Sequence, residues 1–416
     1  MQIFIARQPI FDSQLKVVGY ELLSRSGTDN VFENTDGDHA SDELVSHASS
    51  VWGLDELAQG KKTFVNLTRS ALMDQHFRIL PPENTVLEIL ESVQLDSDVM
   101  NACQQAKDLG YTIALDDYIL EKDRLPVLEH FDIIKMDFAD TEHEDRLTFM
   151  KEHIDLPCQW LAEKIEHHDD YFSALNQGFT LFQGFFFCKP QMIERHEIPS
   201  CKINALRFIE QVQRPDFDQN ALEQIIRSDI ALSYKLLKYL NSAGMGLRNK
   251  VDSIGHAMRL LGQQNLRRWA SLIAISGLGE GKPNELMNVA LTRAKMCELL
   301  TMHCQQFSQM EFDPFTLGLF STLDAMLDLP MEQAVNDLNL HAMLVDTLLG
   351  RETPIAPIYQ ITISLEKGQF DKCESTAKKL GLTNETVQNT YRDAIAWADQ
   401  SMTVTSKQQP MRQASW

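Results

Sequence analysis

The chain has 416 residues, 44% of them hydrophobic and 23% charged, with 38 Lys and Arg against 59 Asp and Glu and a formal net charge of −21 at pH 7. That length exceeds one ordinary core and predicts two or three domains of a globular protein, while the acid excess argues against a partner that is a nucleic-acid polymer. No apolar stretch reads as a signal peptide or a membrane span, and seven cysteines without a C-x-x-C spacing argue against a disulfide framework or a zinc knuckle, so a reducing cytoplasm is the expected setting.

In chain order, the first half presents eight short apolar runs: "IFIARQPIF", "VVGYELLSR", "KTFVNLT", "TVLEILES", "TIALDDY", "DIIKMDF", "CQWLAEKIE" and "FQGFFFCKP". Runs of four to seven apolar or β-branched residues, alternating with helical patterns such as "SDVMNACQQAKDLG", predict βα units around a buried, mostly parallel sheet. Eight of them predict an α/β fold of the (β/α)8 type, a TIM-like barrel over residues 1–200; a doubly wound sheet is the rival that periodicity alone leaves open. The charge is lopsided in the same sense: residues 1–200 carry 16 Lys and Arg against 36 Asp and Glu, and residues 201–416 carry 22 against 23. A cluster of acids is what a divalent-cation site needs, and equally what a solvated acidic surface looks like.

From residue 201 the texture changes. "NALEQIIRSDIALSYKLLKYLNSA", "SIGHAMRLLGQQNLRRWASLIAISGL", "LMNVALTRAKMCELLTMHC" and "HAMLVDTLLG" space their apolar residues by three and four, which predicts a second, all-helical domain over 201–400. The last stretch, 401–416, is polar and reads as a frayed tail.

Seven of the apolar runs carry, near the C-terminal part, a polar residue that a buried strand would not choose: Glu21, Asn66, Glu88, Asp116 with Asp117, Lys135, Glu163 and Gln183. In a barrel these positions converge on one mouth, where active sites of that fold lie. One such acid alone could be a helix cap or a satisfied core residue. Seven in register call for a cation, because buried carboxylates are costly unless paired or metal-bound.

In order, "YELLSR", "FVNLT", "LEILES", "ALDD", "IKMD", "AEKIE" and "FQGFFFCKP" resemble the motifs of EAL domains, barrel-fold phosphodiesterases and receptors of cyclic di-GMP whose signature here reads Glu21-Leu22-Leu23. The resemblance spans residues 1 to about 195. It implies that Glu21, Asn66, Glu88 and Asp116 ligate Mg²⁺ or Mn²⁺ and that Asp117 holds or bridges a second ion. It further implies that Lys135 positions the attacking water, Glu163 completes the metal site, Gln183 supports it, and Arg25 faces a substrate phosphate. The implied reaction opens cyclic di-GMP to linear pGpG across a two-metal clamp, in control of motility against surface attachment, with a homodimer as a possible state.

Two departures stand out. Active members follow the Asp pair with a Phe-Gly-Thr-Gly-like loop, partnered by the residue that here is Glu91, the loop-stabilising acid; this chain has Tyr118-Ile119-Leu120-Glu121-Lys122-Asp123 instead, and Ile and Leu resist backbone conformations that glycine permits. Lys164 replaces the glycine of the common "AEGVE", and reads as an exposed stem beside Glu163. The second half, through Asp229, Leu240-Asn241-Ser242-Ala243 and Ile254, Ala257 and Leu261-Gly262, resembles an HDOD domain. It has no His-Asp pair after residue 200, and His256, His303 and His341 lie in helical apolar patterns. The resemblance therefore implies a regulatory module that binds a protein partner, not a second hydrolase.

Overall fold

The computed structural model describes residues 3–26, 58–120, 122–153, 155–191, 200–214, 222–223, 226, 236, 254–279, 281–308, 310, 312–336, 338 and 340–406. The HDOD-like positions Asp229 and Leu240 to Ala243 lie outside them.

Eight strands close a barrel in sequential order: β1 (Ile3–Asp12), β2 (Val17–Ser26), β3 (Lys62–Leu67), β4 (Thr85–Ile89), β5 (Thr112–Leu115), β6 (Ile133–Asp137), β7 (Gln159–Glu163) and β8 (Leu181–Gln183). They coincide with the eight apolar runs. From β2 to β8 each neighbour is parallel, but β1 runs antiparallel to both β2 and β8. The cause is local. Only residues 13–16 separate β1 from β2, too few for a crossover helix. The Asp12 carboxylate accepts from Gln14 N at 2.8 Å and Lys16 N at 3.0 Å, and Leu15 takes a left-handed φ of 58° to close the turn.

The crossovers include α1 (Arg69–Met73), α2 (Ser97–Asp108), α3 (His143–His153) and α4 (His168–Gln177). Helix α2 starts where Asp96 caps the backbone N–H groups of Asp98 and Val99. Between β5 and β6 the link is a 3-10 stretch, Lys122–His130, that contains Pro126, a residue without the N–H an α-helix needs.

The chain divides into two compact units: Met1–Lys189 with Gln360–Arg392, and Pro190–Tyr359 with Asp393–Trp416. In the first unit, a C-terminal helical segment packs on the barrel. Phe370 opens α13 (Phe370–Lys379) and stacks on Phe4 of β1 with ring centroids 5.7 Å apart, and the Gln388 side chain of α14 (Asn384–Ser406) accepts from Ile5 N at 3.2 Å. Ahead of α13, a Cβ on Gly368 would lie 2.9 Å from Leu23 Cδ1. Helix α14 continues through Ser401–Ser406, so the polar composition there ends no helix.

The second unit is helical: α5 (Ser200–Gln213), α6 (Ile254–Leu278), α7 (Asn284–Met302), α8 (Pro314–Phe320), α9 (Leu323–Leu327), α10 (Met331–Asn336), α11 (Ala342–Leu348) and most of the first half of α12 (Ala356–Glu366). Helix α6 breaks at Gly262, whose φ of 68° is left-handed. Val212, Ile254, Ala257, Met258, Leu261 and Trp269 share its apolar core. Arg268 forms an ion pair with Glu298 at 2.6 Å and a two-pronged one with Asp313, over the Phe315 ring. His303 caps the end of α7, and His341 opens α11 by accepting from Met343 N; both serve helix ends, and the side chain of His256 is outside the described set. No described helix is long and apolar enough to cross a membrane.

Candidate functional site

The barrel interior explains why the polar residues meet. Phe64, Val86, Ala114, Ile133, Leu161 and Leu181 form one apolar layer. Each lies two residues before a polar one: Asn66, Glu88, Asp116, Lys135, Glu163 and Gln183. With a side-chain period of two, the residue after next points to the same face, so a polar ring must sit directly above the apolar layer, at the C-terminal ends of the strands. In β2 the residue two before Glu21 is Gly19, where a Cβ would lie 2.8 Å from Phe64 Cε2; the missing side chain makes room for that ring. On the reversed β1 the order inverts. Ile10 belongs to the apolar layer and Gln8, two residues earlier, belongs to the ring.

At the centre stands the Lys135 ammonium, 1% exposed. It lies 2.7 Å from Asp116 Oδ1, 2.7 Å from Glu163 Oε1, 2.8 Å from Glu88 Oε1 and 3.4 Å from Glu21 Oε2. Glu21 also accepts from Asn66 Nδ2 at 3.1 Å and from Gln183 Nε2 at 2.6 Å, and Gln183 donates again to Gln8 Oε1 at 2.9 Å. The next residue, Gly184, has φ 147°, and a Cβ there would meet the Ile165 backbone oxygen at 2.0 Å, so only glycine lets the chain turn away behind Gln183.

One ammonium among four carboxylates is too little positive charge, and the carboxyls divide accordingly. Burial raises Glu88 well above the carboxylate range, helped by the charges of Glu21 and Asp116 and opposed by Lys135. Burial likewise raises Glu163 and Asp116. For Glu21 burial also pushes upward, but the Lys135 charge and the hydrogen bonds from Gln183 and Asn66 outweigh it and hold the carboxyl below its usual value. Burial works against the charge of Lys135, yet the four carboxylates raise it well above the lysine range.

The donor set fits a hard divalent cation. It is all oxygen, and among the described residues the buried Asn66 Oδ1, Glu88 Oε2 and Gln183 Oε1 have no hydrogen-bond partner. Buried acceptors without donors are the groups a cation would satisfy. Beside them, carboxylate oxygens of Glu91, Asp116 and Asp117 lie within 4.8 Å of one another. The cavity over the ring has a volume of about 160 Å³ and is bordered by Glu21, Leu23, Asp117, Lys135, Lys164 and Gln183 among others. Pockets that enclose drug-sized ligands run to roughly 300–1,000 Å³, so this one is too small to enclose a ligand of that size.

The structure thus brings Glu21, Asn66, Glu88, Asp116, Lys135, Glu163 and Gln183 into one hydrogen-bonded and ion-paired set, with Asp117 and the exposed Glu91 at its margin. Arg25 is in β2, paired with Phe4, and its side chain is not among the described ones, nor are those of Glu121, Lys122, Asp123 and Arg124. In the rewritten loop Tyr118 is fully buried against Phe149, and its N–H donates to the Lys135 carbonyl at 2.9 Å. Leu120 does adopt a left-handed φ of 56°, against the expectation that leucine resists it.

Lys164 keeps the exposed stem expected of it, with a side chain 53% exposed, but its ammonium is engaged. It too has a left-handed φ, 54°, and its ammonium pairs with Asp117 Oδ1 at 3.4 Å and with the buried Asp137. Sequence reasoning passed over Asp137 and Gln8. Asp137 has the same parity as Lys135 on β6, which was a usable signal; Gln8 required knowing that β1 is reversed.

A barrel with an acid-lined mouth, joined to a helical unit, defines the class. The HDOD domain family matches residues 198–325. The chain is 31% identical over 414 residues to the uncharacterized protein YuxH of Bacillus subtilis, covering 97% of this chain and 99% of that one. It is 32% identical over 398 residues to the cyclic di-GMP phosphodiesterase CdgJ of Vibrio cholerae, covering 95% and 92%. Among solved structures it resembles Klebsiella pneumoniae BlrP1 in a manganese and cyclic di-GMP complex, at 22% identity and a TM-score of 0.38, over 45% of this chain and 55% of that one. With near-complete coverage at this identity, the chain belongs to the EAL–HDOD family that includes YuxH and CdgJ.

Proposed function

We propose that the protein is a bacterial cyclic di-GMP signalling protein whose barrel, within residues 1–200, slowly opens cyclic di-GMP to linear pGpG with Mg²⁺ or Mn²⁺, and whose helical region over 201–400 is a regulatory module that binds a protein partner. The observation that carries this reading is the convergence of Glu21, Glu88, Asp116 and Glu163 within 2.7–3.4 Å of a single buried ammonium. The kinship with CdgJ supplies the substrate class. Glu21, Asn66, Glu88 and Asp116, with Glu163, would hold a divalent ion, which when bound would supply charge to lower the pKa of water and to steady the leaving oxygen. Lys135 orients the attacking water and favours its deprotonated form through charge. Gln183 fixes the Glu21 carboxylate through its 2.6 Å hydrogen bond, Glu91 steadies the loop after the Asp pair, and Arg25 faces a substrate phosphate.

A second reading, a receptor that binds the nucleotide without turnover, is favoured by one observation: the Lys164 ammonium is paired to Asp117, the acid that the family resemblance assigns to a second ion. Incubating the full chain with cyclic di-GMP in Mg²⁺ or Mn²⁺, with Glu21→Ala alongside, separates the readings by chromatography. Linear product from the wild type alone supports the enzyme. Nucleotide retained by the protein without product supports the receptor, and the absence of both product and retained nucleotide overturns both readings.

A further inference from the structure

We propose that the Lys164 ammonium is the resident second cation of this site, so that the barrel takes one divalent ion and Lys164 stands where another would bind. The inference rests on the metal-dependent reading above.

Its basis is a socket built for that side chain. Glu163, the last residue of β7, is fixed in the ring by Lys135, and its carbonyl accepts from Phe138 N at 3.2 Å. Ile165 is fully buried, and its N–H donates to Gln183 O at 3.0 Å. Lys164 is pinned between these two anchors in a left-handed conformation that a side chain seldom adopts. From there its ammonium reaches both Asp117 and Asp137. Asp137 is 1% exposed and is itself immobilised, with Oδ1 accepting from Ala139 N at 2.6 Å and Asp140 N at 3.1 Å, which leaves Oδ2 for Lys164. The Lys164 side chain is 53% exposed, but its partner Asp137 is buried and prearranged, and Lys164 borders the cavity, which sets the contact apart from a pair between two solvated side chains.

The charge balance points the same way. The carboxylates of Glu91, Asp116 and Asp117 come within 4.8 Å of one another, which would suit an ion. A cation fixed 3.4 Å from Asp117 already satisfies that acid and repels a divalent ion that approaches it. Lysine here supplies a single positive charge and three donors but no open coordination position for water. It can hold a phosphate oxygen, but unlike a divalent ion it cannot bind a water in a coordination position.

Metal stoichiometry tests this without reference to turnover. Equilibrium dialysis of the full chain against Mn²⁺ at physiological salt should give one tight ion per chain for the wild type and two for Lys164→Gln, which keeps the stem and the backbone strain but removes the charge. Lys164→Gly, which relieves the strain as well, should also give two. Adding Asp117→Asn to Lys164→Gln should restore one. Two ions in the wild type, or one in both Lys164 variants, would overturn the inference while leaving the metal site intact. No ion in any of them would remove the metal-dependent reading and this inference with it.

Discussion

Glu88 shows what the site costs the fold. Its carboxyl is 0% exposed and shares its surroundings with Glu21 and Asp116, so the folded, metal-free protein keeps a proton there to a higher pH than the unfolded chain does. The stabilisation tied to that proton is complete below the ordinary carboxylate pKa and is lost as pH rises through the raised one, at about 1.4 kcal/mol per pH unit in the interval. Glu88→Gln mimics the protonated form and does not titrate. In EDTA it should therefore be more stable than the wild type at pH 8 and nearly equal to it at pH 5, as read by denaturant unfolding, and excess Mn²⁺ should reverse the order at pH 8 because only the wild type has the full ligand set. A gap that stays constant with pH would show that Glu88 carries no excess proton. At this scale most of the ring was legible, since a carboxylate ending an apolar run is anomalous on its own. The exposed stem of Lys164 was legible as well, but the engagement of its ammonium was not, because it depends on a left-handed turn and on the buried Asp137 that receives it.

The barrel's least expected element comes from the far end of the chain. Phe370 and Gln388 lie more than 350 residues beyond the β1 residues they touch, and nothing in a local periodicity marks a helical segment for packing on a strand so remote. The strands themselves were legible, because buried parallel strands read as continuous apolar runs. The direction of β1 could have been read too, from the few residues that separate it from β2. Phe370 is 8% exposed, so Phe370→Ala should cost the barrel about 3 kcal/mol, the lower end for a buried phenylalanine. Hydrogen exchange at the amides of β1 and β2 reports this locally, with accelerated exchange expected there. Unchanged exchange would mean that the C-terminal segment contributes no stability to the barrel. By the same argument a fragment ending at residue 200 should unfold at lower temperature than the barrel within the full chain.

Acid is concentrated in the half of the chain that builds the barrel: the first 200 residues hold 36 of the 59 Asp and Glu. Two units with separate cores should respond differently to metal. At 100 times its dissociation constant, a ligand that binds only the folded form stabilises by about 2.7 kcal/mol, which for a domain of this size raises the melting temperature by roughly 5–10 °C. Calorimetry in Mn²⁺ against EDTA should move the barrel transition by that amount and leave the helical one in place; equal movement of both, or of neither, would contradict a site confined to the barrel mouth. The helical unit was legible in its 3.6-residue period, whereas its partner was not, because a regulatory surface carries no chemistry comparable to a ring of carboxylates. If the ring of carboxylates is a metal-dependent site for a cyclic dinucleotide, calorimetric titration of cyclic di-GMP into the full chain in Ca²⁺, an oxygen-seeking ion, should detect it, with Glu21→Ala as the comparison and its folding checked by circular dichroism. Saturable binding at one nucleotide per barrel is expected in the wild type, and at least a tenfold loss in the variant. Equal affinity in both would place the nucleotide elsewhere and contradict a site at the ring.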